Sequence, residues 1–165
     1  MINVRLQIAD GAIYDTYEQY GLIYLSSDNR FAPPTKGFAT STYAEESGEH
    51  IDPRTVDDAF DYKIRFCINV PNRDLVNANA KIKAFNELMY DKKADSDIKT
   101  FKEFTFYNDY KRVKVVGIPE PIAEVDDDDF FRDKYGKVYD AVIVELKLRV
   151  TDPNRCEFST YNPDL

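Results

Sequence analysis

The clearest pattern in the chain is DYKIRFCINV, residues 61–70. Tyr62, Ile64, Phe66, Ile68 and Val70 fall on one face, and Lys63, Arg65, Cys67 and Asn69 on the other. Period two over this length predicts a half-buried strand, which Pro71-Asn72 ends. The period then changes. In NRDLVNANAKIKAFNELMYD, from Asn72 to Asp91, Leu75, Ala78, Ile82, Phe85 and Met89 recur at helical spacing, and Leu88 broadens the stripe. Asn72 is the expected N-cap, with Asp74 in the first turn near the positive end of the helix dipole.

Period two returns afterwards. FKEFTFYND and YKRVKVVGI flank a turn near Asn108-Asp109 and predict an antiparallel hairpin. GIPEPIAEV reads as an irregular or edge segment because of its two prolines. VYDAVIVELKLRV is a long closing strand, with Val142, Val144, Leu146, Leu148 and Val150 facing one way, and Asp152-Pro153-Asn154 stops it. Earlier in the chain, INVRLQIA alternates as a strand up to the Asp10-Gly11 turn. Further strands are expected over Gly21–Ser27 and, at an edge, Phe38–Glu45, with a loop over Asn29–Gly37 around Pro33-Pro34.

The expected fold is mainly β with one principal α-helix: an antiparallel β-sandwich or curled sheet with the helix packed against it. Repeated helices between strands are absent, which argues against a doubly wound sheet. The expected organisation is a single β-rich domain over residues 1–158, with arms at 14–44 and 125–136, and a C-terminal tail at 159–165.

Composition adds limits. The 165 residues are 43% hydrophobic, with 12 Tyr, 11 Phe and no Trp, enough for a real core and rich in residues favoured in strands and interfaces. The net charge of -8 repels phosphate backbones on average. The most basic stretch, Tyr110–Val115, reads more simply as the polar positions of a strand. The N-terminus lacks the pattern of a signal peptide. No apolar run approaches the ~18 residues of a membrane span.

Candidate chemistry is sparse. His50, the one histidine, lies among Glu45, Glu46, Glu49, Asp52, Asp57 and Asp58. Zinc needs three or four converging ligands, so the plainer reading is an exposed turn at Ser47-Gly48 leading to a strand. Asp126, Asp127, Asp128 and Asp129 invite a calcium test. Counted from Asp126, however, the sixth position is Phe131 and the twelfth Lys137, where an EF-hand needs Gly and Glu. A solvated acidic loop is expected. Cys67 and Cys156 are far apart and lack metal-ligand spacing. No catalytic, cofactor-binding or metal residue is assigned, and the chain is expected not to be an enzyme. Tyr14, Tyr17 and Tyr20 recur every three residues, with Tyr24 following, and suggest an interface. The alternatives are a carbohydrate-binding module that stacks sugars on these tyrosines, and a small enzyme with a carboxylate-based site.

The succession of strand DYKIRFCINV, helix NANAKIKAFNELM, hairpin FKEFTFYNDYKRVKVVGI and strand VIVELKLRVTDP resembles tail proteins of long-tailed bacteriophages, especially the ring-forming distal tail and tail-tube class. KGFATSTYAEESGEHID resembles the approach to the first core strand there, and LRVTDPNRCEF resembles the Asp-Pro ending of distal tail proteins. The resemblance spans Lys36–Phe158. It implies a non-enzymatic structural subunit of a phage, prophage or related tail-like particle. Such subunits form closed rings, commonly hexameric, and join the tube to baseplate or tip proteins. DNA would pass through the channel without specific binding, which suits an acidic chain. The implied location is the virion tail, after assembly in the bacterial host's cytoplasm. Many larger distal tail proteins continue into a further C-terminal domain, whereas this sequence stops soon after Asp152-Pro153.

Overall fold

The computed structural model describes residues 4–29, 32–35, 37, 39–41, 50–52 and 57–164. In chain order the elements are β1 (Val4–Ile8), β2 (Ile13–Asp15), α1 (Thr16–Tyr20), β3 (Ile23–Ser27), β4 (Ala39–Ser41), β5 (His50–Asp52), β6 (Phe60–Asn69), α2 (Leu75–Glu87), β7 (Tyr90–Lys92), β8 (Lys99–Phe101), β9 (Phe104–Asn108), β10 (Val113–Glu120), β11 (Phe130–Arg132) and β12 (Val138–Val150). The fold is mainly β with one substantial helix, and the sheets are antiparallel, as the alternating periods predict.

The main sheet has eight strands, in the order β2-β1-β9-β10-β12-β6-β3, with β11 pairing to β12. Its curl is set by β10. Val113–Gly117 pair with β9, whereas Ile118–Glu120 pair with the end of β12. The strand therefore crosses from one half of the sheet to the other. Gly117 sits at the crossing, where a Cβ would stand 2.9 Å from the Arg149 carbonyl oxygen. Only glycine lets the backbones approach this closely.

The curl turns the apolar face of each half toward the other. The inward residues of β6 and β12 are those the period-two pattern selects. Tyr24 and Tyr62 of one half reach Phe106 of the other, with ring centroids 6.3 and 6.2 Å apart. Helix α2 adds Ala78, Ile82 and Phe85 to this core. Phe85 meets Phe104 at 6.3 Å and Tyr20 at 5.3 Å, both edge-on, the arrangement the ring quadrupoles favour.

The helix is shorter than its periodicity suggests. A short 3₁₀ turn at Pro71–Arg73, with Asn72 at φ 58°, precedes it. Asp74 rather than Asn72 caps it, its carboxylate accepting the Asn77 N–H at 3.2 Å. Leu88 lies outside the buried stripe, and the chain turns into the β7–β8 hairpin where more helix is expected.

Two asparagines on α2, separated by two helical turns, hold the proline-containing segment after β10. Asn86 donates to the Ile122 carbonyl at 2.8 Å and accepts the Ile122 N–H at 2.8 Å. Asn79 does the same at Val125, at 3.0 and 2.9 Å. A primary amide has the donor and acceptor to replace a neighbouring strand, so the backbone is satisfied without one.

Parts of the two stretches expected as arms, 14–44 and 125–136, pack on the core. Tyr14–Ser27 contributes β2, α1 and β3, and buries Thr16, Leu22 and Tyr24. Residues 125–136 bury Val125 and Phe130 and pair through β11. The expected tail also docks. Tyr161 donates its N–H to the Arg112 carbonyl at 3.2 Å, packs on Tyr107 at 5.3 Å and accepts from Arg5 at 2.7 Å. Contacts with residues distant in sequence, apolar for the first two and largely hydrogen bonds for the third, decide all three.

Phe85→Ala should lower the unfolding free energy by about 3–5 kcal/mol, the usual cost of truncating a core aromatic. Val76→Ala, on the solvent side of α2, should change it by no more than ~0.5 kcal/mol. Urea unfolding followed by circular dichroism distinguishes the two; equal effects would show that the buried face of α2 is wrongly assigned.

Candidate functional site

Strands β3 and β6 pair from Ile23–Cys67 to Ser27–Ile64, with a bulge that displaces Leu25. The pairing does not stop there. Asp28 donates its N–H to the Lys63 carbonyl at 3.0 Å, and its carboxylate accepts the Lys63 N–H at 3.0 Å. Further out, Asp58 donates to the Pro34 carbonyl at 2.6 Å and Thr35 bridges Asp57. Then β4 pairs with β5 through Ala39–Asp52, Thr40–Ile51 and Ser41–His50. The numbers of the paired residues add to almost the same value throughout. All these pairs therefore belong to one hairpin. An ordinary hairpin closes through about two to five residues. Here the chain leaves the main sheet after Asp28 and rejoins it at Phe60, and β4 with β5 forms a two-stranded sheet of its own.

The root of this ribbon is fixed by buried polar groups. Asn108, 0% exposed, donates to the Tyr24 hydroxyl at 3.1 Å and accepts the Lys111 N–H at 3.1 Å. The Tyr24 hydroxyl shares a 2.9 Å hydrogen bond with Ser27 Oγ, which also accepts from the Tyr62 hydroxyl at 3.2 Å. Lys111 Nζ donates to the Ser27 carbonyl at 3.1 Å and to Asn29 Oδ1 at 2.8 Å. The chain thus leaves the core through a clamp built by β3, β6 and the β9–β10 turn. Burial makes such bonds costly to leave half-made.

The residues singled out in the sequence are dispersed. His50 and Asp52 lie on β5, and Asp57 and Asp58 lie nearer the root. Glu45, Glu46 and Glu49 fall outside the described residues. Asp126 and Asp129 close a capping box: Asp126 accepts the Asp128 N–H at 2.9 Å, and Asp129 accepts the Asp126 N–H at 2.9 Å. Their lone pairs serve their own turn. Among the described residues, no three His, Cys, Asp or Glu groups are placed to hold a metal ion. Tyr14, Tyr17 and Tyr20 do not share a plane. Tyr20 is partly buried against Phe85, and Tyr14 meets it edge-on at 84°.

Cys67 and Cys156 are free thiols, each half-buried. Burial pushes the Cys67 thiol above its ordinary pKa. Burial also raises that of Cys156, against the opposing effect of the Val116 backbone hydrogen bond. A raised pKa leaves less thiolate at a given pH, so neither residue is an activated nucleophile.

The clamp residues Ser27, Asn108 and Lys111 carry no motif. The visible signal is an asparagine that closes an apolar strand pattern just before a turn.

Asn108→Ala should cost about 1–3 kcal/mol, the penalty for leaving the buried Tyr24 hydroxyl without its donor. Hydrogen exchange at Ser27 and Lys63 should accelerate with it, while exchange in α2 rises only as far as global stability falls. At pH 8, iodoacetamide should modify both thiols at least tenfold more slowly in the folded chain than in urea; equal rates would refute their protection. Among the described residues no helix is long and apolar enough to cross a membrane. No protein-family model matches the chain, and no curated protein matches it.

Proposed function

We propose that this chain is a structural subunit of a phage tail or tail-like particle, and that it forms or joins a ring around a channel. The observation that carries the reading is the ribbon that extends the β3–β6 hairpin beyond the main sheet. A two-stranded ribbon is at best marginally stable alone in water, and its edges offer unpaired backbone groups. A neighbouring subunit supplies the missing surface. The clamped root suits this role, because an arm that leaves the core in a fixed direction meets its neighbour with less entropy to lose.

The order of elements adds support through its resemblance to distal tail and tail-tube proteins. Six copies is the number that resemblance implies. A ring of acidic subunits would offer DNA few cations to replace its counterions, so the duplex would pass without sticking. The same charge makes subunits repel at low ionic strength, so rings are expected to form more readily as salt rises.

Negative-stain imaging over a range of concentration and salt, with and without neighbouring tail proteins, tests the reading. The expected result is rings with a pore of roughly 20 Å or more, wide enough for a duplex on the scale of its grooves. Replacing residues 36–56 by Asn-Gly closes the ribbon at the Thr35–Asp57 bridge. That variant should keep its thermal transition within a few degrees and lose the rings. A wild-type monomer under every condition, or a shortened variant that assembles as well as wild type, would overturn the proposal.

A further inference from the structure

The β11–β12 hairpin ends in a turn that its own aspartate organises. Asp133 accepts the N–H groups of Tyr135 and Lys137 at 2.8 and 2.9 Å, and its own N–H reaches the Lys137 carbonyl at 3.0 Å. Gly136 supplies the left-handed residue at φ 82°. At the base, Phe130 is buried beneath Arg73, which is itself paired with Asp140 at 3.1 Å.

This built turn displays three large exposed rings. Phe131 and Tyr139 pack 5.5 Å apart and are 43% and 39% exposed, while Tyr135 is 83% exposed. Lys137 Nζ lies 4.9 Å from the Tyr139 ring and Lys134 Nζ 5.0 Å from the Tyr135 ring. Among the described residues, neither lysine nor Arg132 forms an ion pair. On a chain of net charge -8 this is a local excess of cations set on aromatic faces. Such a surface is suited to a partner that brings carboxylates together with apolar or aromatic area.

We propose that this hairpin tip is the receptor for the acidic segment Glu45–Asp52 of a second copy of the chain; the inference rests on the assembly reading and deepens it. That segment carries Glu45, Glu46, Glu49 and Asp52 with no lysine or arginine among them. In the sequence it follows β4 and runs into β5, whose residues are His50–Asp52. Donor and receptor are thus different surfaces of one chain. Contacts of that kind are heterologous, and they build rings when the rotation closes. The opposite charge of tip and segment favours this occupant, and a nucleic acid is the competing anion that the test below separates from it.

A synthetic peptide of residues 42–52 titrated into the full chain, by calorimetry and ¹⁵N chemical shifts, is the direct test. Saturable binding is expected, with shifts at Phe131, Tyr135 and Tyr139. Lys134→Glu/Lys137→Glu should weaken it at least tenfold, as should replacing the peptide's three glutamates by glutamine. In the full chain, Lys134→Glu/Lys137→Glu alone and Glu45→Lys/Glu46→Lys alone should each abolish rings, and their combination should restore them. No peptide binding, equal binding by the variant, or preference for single-stranded DNA over the peptide would overturn the inference. Rings that persist in the lysine variant would overturn it and leave the assembly reading intact. Peptide binding by a chain that never forms rings would support the receptor while removing the ring.

Discussion

The hydrogen bonds around Asn108 hold together what the curl of the sheet brings together. A curled antiparallel sheet needs something to set the distance between its two halves. Aromatic packing of Tyr24 and Tyr62 on Phe106 supplies area but little direction. The Asn108–Tyr24–Ser27–Tyr62 chain supplies direction, because each donor must find its acceptor in a water-poor interior. The hydroxyls of Tyr24 and Tyr62 meet at Ser27, the last residue of β3. The geometry of the core is therefore read out where the ribbon begins. A loss there loosens the contact between halves and the direction of the arm at once.

The opposite flank uses another device. Where β10 turns toward β12, Gly117 permits the close crossing. The following segment then loses its strand partner and takes the side chains of Asn79 and Asn86 in its place. Helix α2 is thus held from two directions: its apolar stripe by the core, and its asparagines by the strap. Neither of these asparagines is a good helix former, and their place on α2 follows from what they bind.

Much of the fold is legible in the sequence because its strongest signals are periodicities. The two-residue period of 61–70 and 138–150 and the helical stripe from Leu75 to Met89 give the central strands and the main helix directly. What escapes is decided by distant partners. Asp74 displaces Asn72 as the cap because a 3₁₀ turn intervenes. Tyr20 looks like one of three surface tyrosines until Phe85 covers it. Residues 125–136 look like a solvated loop, yet Phe130 lies in the core and the aspartates fold back on their own amides. The segment 28–59 reads as loop and short edge strand, since its described pairs, in β4–β5 and at Thr35–Asp57, join only the segment to itself and leave no apolar period. Its continuity becomes visible only in the register that connects it to β3 and β6.

The charge of the chain means different things at different scales. Over the whole molecule, -8 makes copies of the chain repel one another, and on the proposed reading it would spare DNA a sticky channel. On the same reading, two lysines on exposed rings and the neighbouring Arg132 at one hairpin, with the four carboxylates within Glu45–Asp52, make a local attraction that the average conceals. On the proposed reading the two act together. Mean repulsion disfavours every encounter except the one that aligns tip and ribbon, and it does so most strongly at low salt, where the Debye length is long. The aromatic rings then matter more than the lysines once contact is made, since their buried area is not screened by salt. On that reading the aspartate-bound turn is what gives the tip its selectivity, because charges select a partner best when they are held in place.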